Sequence, residues 1–385
     1  MAAPLVATPE GLTRLLRALD GEPILAVDTE AASFHRYHDR IYLIQVSTAA
    51  STMLIDPLGA GNLDGIGAVL ADNTVEKVFH DADYDLRLFD KEFGFRATRI
   101  FDTRIAAQFL NEPGIGLAAL LEKFLAITVD KRFQRADWSM RPLPQAMLDY
   151  AASDTAYLCE LQSILRRALL EAGRLDWVEE ECQLLEQTRW TAPPSDPESD
   201  FLRLKGARAL DRRALAILQE LHRWRSETAA REDRAEFRIV GNEVLLHLAQ
   251  HPVGTVEELE RVRDIGHDNA DRRGARILAA IERGRLRPET TLPRIPRPPR
   301  RVSDPGFDAR LEALKRERNV LATRLELAPG VLCPNGTLES IARAEPDSLP
   351  ALSGVSGVRR WQVDVIGEPL LKAMLEARPR LAKEV

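Results

Sequence analysis

Two hydrophobic periods run through the first 190 residues, whereas the remainder shows only the helical one. Thr8 and Pro9 precede leucines 12, 15, 16 and 19, a capped amphipathic helix with Thr8 as N-cap and proline at its first position. The apolar run Ile24, Leu25, Ala26, Val27 then predicts a buried strand that ends in Asp28-Thr29-Glu30. Residues 41–47 and 52–57 predict two more strands, the latter stopped by Pro57. Three strands in succession imply a meander, with the acidic strand at or beside its centre. From Leu63 the pattern alternates: a helix over 63–70, a short strand over 77–80, a helix from Asp83 to Phe93. Helices over 103–110 and 117–124 follow, then one long helix over 145–170 behind Pro142 and Pro144. Strands first and βα units later predict an α/β domain ending near residue 190.

Proline marks the boundaries. Pro193, Pro194 and Pro197 punctuate one linker, and prolines 293, 296, 298 and 299, interleaved with arginines, make a second, stiff one. The expected division is an α/β domain over 1–190, a linker over 191–204, and a helical domain over 205–286. A Pro/Arg-rich linker over 287–306 and a second helical domain over 307–380 complete it. The two helical stretches are similar in length and pattern, which suggests an internal repeat.

Composition narrows the classes. The chain has 385 residues, 45% hydrophobic and 29% charged, with no apolar run long enough for a membrane span. The first fifteen residues lack a basic stretch before an apolar core, so no signal peptide is expected. Cys159, Cys182 and Cys333 are odd in number and far apart, which suits reduced thiols in a cytoplasm. Net charge is unevenly spread: −12 over residues 1–199, +6 over 200–301 and zero over 302–385. An acidic first part beside a basic middle suggests a metal-using core joined to a module that meets a polyanion. The candidate contacts for that polyanion are Arg223, Arg225, Arg231, Arg234 and Arg238, with Arg297, Arg300 and Arg301 in the linker.

The candidate chemistry begins at the acidic strand. Residues i and i+2 of a strand share a face, so Asp28 and Glu30 point the same way. Two carboxylates ~4 Å apart repel by about 4 kcal/mol at an effective dielectric near 20. An isolated pair of this kind is most often a plain acidic strand end; further acids change that. Asp85 opens the helix after the 77–80 strand, with Asp81 and Asp83 close by, and position alone does not choose among the three. Tyr150 and Asp154 are i and i+4 on one helix flank, separated by two alanines and a serine. Asp28, Glu30, Asp85 and Asp154 make an oxygen-only donor set that favours Mg²⁺ or Mn²⁺ over zinc. Two such ions ~3.5–4 Å apart suit in-line displacement at phosphorus. Tyr150 is a poor base at neutral pH and is better placed to aim a water molecule. His80 is expected to pack or support the acids, which already fill the site.

These motifs carry a resemblance. Asp28-x-Glu30, Phe79-His80 followed by Asp85-Leu86, and Tyr150-x3-Asp154 resemble the three exonuclease motifs of the DEDD superfamily, in its tyrosine-bearing DEDDy branch. The run from Asp137 to Leu143 leading into Tyr150 is similar to the ribonuclease D family. Residues 205–286, with Leu221, Trp224 and Arg225, resemble an HRDC domain. Residues 307–380, with Leu352-Ser353-Gly354 and Arg359-Arg360-Trp361, resemble a divergent second copy. The resemblance implies a ribonuclease H-like exonuclease domain, a mixed sheet flanked by helices, followed by two all-α HRDC-like domains. It also implies a 3′→5′ exoribonuclease that releases nucleoside 5′-monophosphates and trims tRNA precursors and other small structured RNAs with free 3′ ends. By motif, Asp28, Glu30, Asp85 and Asp154 become ligands of two divalent metal ions, and Tyr150 orients the water. A monomer with no membrane association is expected. Two rivals stand: a DNA 3′→5′ exonuclease of the same superfamily, and a catalytically lapsed RNA-binding scaffold.

Overall fold

A computed structural model describes residues 3–130, 132–192, 196, 198–296, 304 and 306–377. Its first part runs β1 (Leu5–Val6), α1 (Pro9–Leu19), β2 (Ile24–Ala31), β3 (Ile41–Ser47), β4 (Thr52–Ile55), α2 (Asp64–Ala71), β5 (Glu76–Phe79), α3 (Asp83–Phe93) and β6 (Ile100–Asp102). Five helices follow: α4 (Thr103–Phe109), α5 (Leu117–Leu125), α6 (Gln145–Ala156), α7 (Leu158–Glu171) and α8 (Leu175–Leu185). The six strands form one mixed sheet in the order β1-β4-β3-β2-β5-β6. β2 pairs antiparallel with β3 and parallel with β5, so the acidic strand sits where the meander meets the βα units. Helices α1, α2 and α3 cover one face over Leu25, Val27 and Ile44. Helices α4, α5, α7 and α8 cover the other over Ala26, Val78 and Phe101. The expected mixed sheet flanked by helices is what the structure shows.

Two elements differ from expectation. β1 is two residues long, too short for a period to be read. The single helix expected over 145–170 is two, broken at Tyr157, whose φ of −114° and ψ of 1° leave the helical region. The Ser47 and Thr155 hydroxyls meet at 2.7 Å and tie the end of α6 to β3. α7 then lies over β2 and β5. Successive strands of a twisted sheet diverge, and one straight helix cannot follow both pairs.

The helical part contains α9 (Arg212–Glu232), α10 (Glu236–Ile239), α11 (Asn242–Gln250), α12 (Val256–Glu260) and α13 (His267–Leu286). Its second half contains α14 (Phe307–Arg324), α15 (Pro329–Leu332), α16 (Asn335–Ala344), α17 (Leu349–Ser353) and α18 (Arg360–Glu376). The halves repeat in register, each counterpart 93 positions on. Arg225 donates to the Val240 carbonyl and Asn242 Oδ1; Arg318 donates to the Cys333 carbonyl and Asn335 Oδ1. Asn269 reaches the Ile239 carbonyl as Gln362 reaches that of Leu332. Thr255 caps α12 through the Glu258 N–H, and Ser348 caps α17 through that of Ala351. Gly274 lies against Val256 and Leu259, and Gly367 against Leu349 and Leu352. Each of these glycines lets two helices approach where a Cβ would crowd the neighbouring leucine or valine.

Candidate active site

The site is assembled from both faces of β2. Asp28 and Glu30 project from the face that carries Ala26, toward α6 and α7. Thr29 between them turns to the opposite face, where its hydroxyl donates to Asp85 Oδ1 from the first turn of α3. Asp154 enters from α6. One carboxylate oxygen from each of Asp28, Glu30 and Asp154 lies within 4.8 Å of the others. Asp85 stands outside that tight triplet but within its field, since the Asp28 charge raises its pKa and its own charge raises that of Glu30.

Burial is the first influence on all four acids. It pushes Asp154 up to about 7 and holds Asp28, Glu30 and Asp85 well above the ordinary carboxylate range. Mutual repulsion adds to the shifts of Asp28, Glu30 and Asp85. Among the described residues no cation offsets them. Arg104 lines the same cavity, but its ion pair is with Asp81 at 3.6 Å. Gln45, directly across the ladder from Asp28, is fully buried, and neither atom of its amide has a protein partner. An all-oxygen donor set with raised proton affinity, no basic neighbour and an unpartnered amide beside it fits a hydrated hard divalent cation.

Tyr150 is buried with its ring between Phe133, at 5.9 Å between centroids, and Trp138, at 6.1 Å. Its hydroxyl hydrogen-bonds Asp154. Trp138 is held by the segment that follows it, in which Arg141 makes a two-pronged pair with Asp56 at 2.7 and 2.8 Å. The adjoining cavity, of about 460 Å³, is lined by Asp28, Tyr150, Asp154 and His80, with Leu117, Val129 and Leu158 as apolar wall.

Comparison with known proteins follows the same division. A family model described as 3′-5′ exonuclease matches residues 4–170, and one described as HRDC domain matches residues 214–281 and 307–374. Ribonuclease D of Granulibacter bethesdensis (strain ATCC BAA-1260 / CGDNIH1) is 33% identical over 371 residues, covering 95% of this chain and 91% of the relative. The chain belongs to the ribonuclease D family. Escherichia coli RNase D, described as an exoribonuclease involved in structured RNA processing, aligns over 98% of this chain and 99% of its own, with a TM-score of 0.67 and 26% identity. The catalytic core of RRP6 from Trypanosoma brucei aligns over 73% and 79% respectively, with a TM-score of 0.66 and 28% identity. As a member of the ribonuclease D family the chain is an exoribonuclease, and the exonucleases of this superfamily depend on divalent metal ions.

In this ribonuclease D family member one residue escapes the motif pattern, and His80 stands where a supporting residue was expected. Asp102, nearly fully buried, accepts from the backbone N–H groups of Asp81, Ala82, Arg104 and Ile105. It thereby fixes the turn that launches α3 and the start of α4, placing Asp85 and Arg104 at once. Its only legible signal is an acid just before a helix. His80 lines the cavity, with Nδ1 2.9 Å from the Thr103 hydroxyl and its pKa lowered to about 4 by burial, so the ring is neutral near pH 7.

Two of the candidate polyanion contacts need correction, Arg225 and Arg223. Arg225 is 2% exposed and pairs with Glu236 at 2.9 Å besides its framework bonds, so no phosphate reaches it. Arg223 is shared between Glu198 at 3.2 Å and Glu220 at 2.9 Å. Arg231 and Arg234 are exposed, the former 3.7 Å from Glu232. Arg238 reaches out of the helical part to the Phe34 carbonyl. Arg297, Arg300 and Arg301 lie outside the described residues.

Proposed function

We propose that this chain removes nucleotides one at a time from the 3′ end of RNA, releasing nucleoside 5′-monophosphates. Asp28, Glu30, Asp85 and Asp154 would hold two divalent cations, Mg²⁺ or Mn²⁺. Such cations, when bound, neutralise the scissile phosphate and lower the pKa of water enough to supply a nucleophile near neutral pH. The observation that carries the reading is the half-buried carboxylate cluster, with no compensating base among the described residues, opening on a cavity of nucleotide size.

The chain's own groups bind and aim. Burial and the charges of Asp154, Glu30 and Asp28 raise the Tyr150 pKa above its ordinary value, so the phenol keeps its proton. A protonated phenol donates; Tyr150 therefore orients a nucleophile and does not take its proton. Phe133 and Trp138 restrict the ring to that pose. Leu117, Val129 and Leu158 offer an apolar wall to the terminal base, and Arg104 a positive rim to its phosphate.

Residues 1–190 form the catalytic domain in this reading, residues 205–286 and 307–380 the helical domains, with linkers over 191–204 and 287–306. The substrates are tRNA precursors and small structured RNAs with free 3′ ends, in keeping with the description of the Escherichia coli relative. A cytoplasmic monomer suits three free, buried cysteines.

The test is digestion of RNA labelled at its 3′ or its 5′ end, with Mg²⁺ and with EDTA. Immediate release of the 3′ label as mononucleotide, abolished by EDTA, is expected. Asp28→Asn and Asp154→Asn should each lose more than the roughly 10–100-fold of a supporting residue, and Tyr150→Phe less than either. Near-normal hydrolysis by both aspartate variants would overturn the assignment, and preference for a matched DNA strand would move the substrate to DNA.

A further inference from the structure

Three aromatic rings, each with a guanidinium beside it, connect Tyr150 to the first helical repeat, and the step from Phe133 to Phe34 runs through Arg135, two residues on from Phe133. Phe133, against Tyr150, has Arg132 Cζ 5.8 Å from its ring centre. Phe34, four residues beyond Glu30, has Arg135 Cζ at 5.0 Å. Phe237 on α10 meets Phe34 edge-on, with centroids 6.3 Å apart, and has Arg238 Cζ at 5.8 Å. Such pairs occur about once per 70–80 residues in proteins at large, so three in succession is a local concentration.

We infer that single-stranded RNA upstream of the 3′ end stacks its bases on Phe34 and Phe237 while Arg135 and Arg238 meet its phosphates; this rests on the exoribonuclease reading above. Phe34 is 42% exposed and Phe237 54%, although each is large enough to be buried. Arg135 and Arg238 have no carboxylate partner among the described residues, unlike Arg132, which pairs with Asp130. A π-face beside a cation that no carboxylate neutralises matches one ligand chemistry well, an unpaired base with its phosphate. A duplex keeps its bases stacked inside and cannot use the rings. The ledge is also held in place. The Ala235 N–H donates to the His35 carbonyl at 3.1 Å, and the Tyr37 and His38 N–H groups donate to Asp233 Oδ1. The His35 ring meets the Arg135 carbonyl at 2.9 Å. The β2–β3 loop therefore fixes Phe34 relative to both the catalytic acids and the first helical repeat.

The test compares the wild type with the Phe34→Leu/Phe237→Leu double variant, which keeps apolar packing but removes both rings. Binding is measured by anisotropy in EDTA with a long single-stranded RNA, and turnover with that RNA and with a dinucleotide too short to leave the catalytic cavity. Long-RNA affinity should fall about 5- to 150-fold per stacked base, with dinucleotide turnover unchanged. A Phe237→Trp variant should keep wild-type affinity, and Arg135→Gln should reduce the salt slope by about 0.7. Unchanged long-RNA binding would overturn the ledge and leave the rings to a protein partner. Equal losses on both substrates would overturn it too, by exposing structural damage. A wild type that binds RNA through the rings yet hydrolyses none would sink the exoribonuclease reading and spare the ledge.

Discussion

The two helical repeats share one framework and spend their surfaces differently. Both are clamped inside by a buried arginine that holds a carbonyl and an asparagine, Arg225 in one and Arg318 in the other. The first keeps a core of its own, and meets the catalytic part through a polar seam at residues 34–38. The second has no separate core: Leu314, Leu321, Ile366 and Leu370 join one apolar cluster with Phe101, Phe109 and Leu165 of the catalytic part. At that junction Trp361 stacks on Trp177 at 5.0 Å and meets Phe109 at 5.3 Å. Glu180 accepts from the Arg360 and Trp361 N–H groups, so an acid of α8 caps α18. Net charge over residues 200–301 exceeds that over 302–385 by six, yet within the repeats themselves, 205–286 and 307–380, it is +2 and +1. The buried stack therefore distinguishes their roles better than charge does. One repeat is a brace, and the other, in the proposal above, keeps its surface for a ligand.

The effect expected to reach furthest lies at the brace. Trp361→Ala should cost about 3–5 kcal/mol, the usual loss for a buried tryptophan, and leave Glu181 without the indole N–H it accepts at 3.0 Å. Because the core is continuous, calorimetry should show the catalytic part melting earlier, while the first repeat's transition holds still. A catalytic transition that did not move would divide what the packing joins.

Next come the clamps. Arg225→Ala strands Glu236 and two acceptors, at a cost of about 3–5 kcal/mol. Arg318→Ala orphans a carbonyl and an amide oxygen, each costing about 1–3 kcal/mol. The first variant should weaken only its own repeat; the second should bring down the catalytic part as well. Thermal melts read separately through RNA hydrolysis and through total helicity would distinguish them.

What was legible in the chain was local. The same-face placement of Asp28 and Glu30 needs only the two-residue period of a strand, and Tyr150 with Asp154 only the four-residue step of a helix. What was hidden depended on distant partners. Arg225 on an amphipathic helix reads as a solvated cation until Glu236 and Asn242 fold over it. Asp102 reads as a cap for one helix, though it also gathers the turn at Asp81 and Ala82. The break at Tyr157 follows from the twist beneath it, which no stretch of α6 or α7 encodes alone. The aromatic ledge joins rings about two hundred positions apart, Phe34 and Phe237.

Metal sharpens the same contrast. A raised folded-state carboxyl pKa means that the metal-free fold binds more protons than the unfolded chain, so its stability falls as pH rises from about 4 through the shifted values. Asp154, pushed up to about 7, places part of that loss between about pH 4 and 7. Cations compete with those protons, so Mg²⁺ should stabilise little near pH 5 and more near pH 8. At a hundredfold excess over its dissociation constant the gain is about 2.7 kcal/mol. It should appear in the joint transition of the catalytic part and second repeat, and leave the first repeat's melting unchanged. A gain that was flat in pH would mean the cation binds away from these acids.

The smallest effect tests whether charge at the first repeat's surface contributes to its folding. Arg223 bridges Glu198 and Glu220, partly exposed on all sides but Glu220, and Glu220 also holds Arg283 at 2.8 Å. Arg223→Gln therefore removes one of two cations from Glu220 and should cost no more than about 1 kcal/mol. RNA affinity should change little, because the guanidinium is already committed to two carboxylates. Arg135→Gln, by contrast, removes a cation that has no carboxylate partner among the described residues and should weaken RNA binding without lowering the melting temperature. If Arg223→Gln instead weakened binding as much as Arg135→Gln, net charge would be governing RNA contact after all, and the distinction between committed and uncommitted arginines would fall.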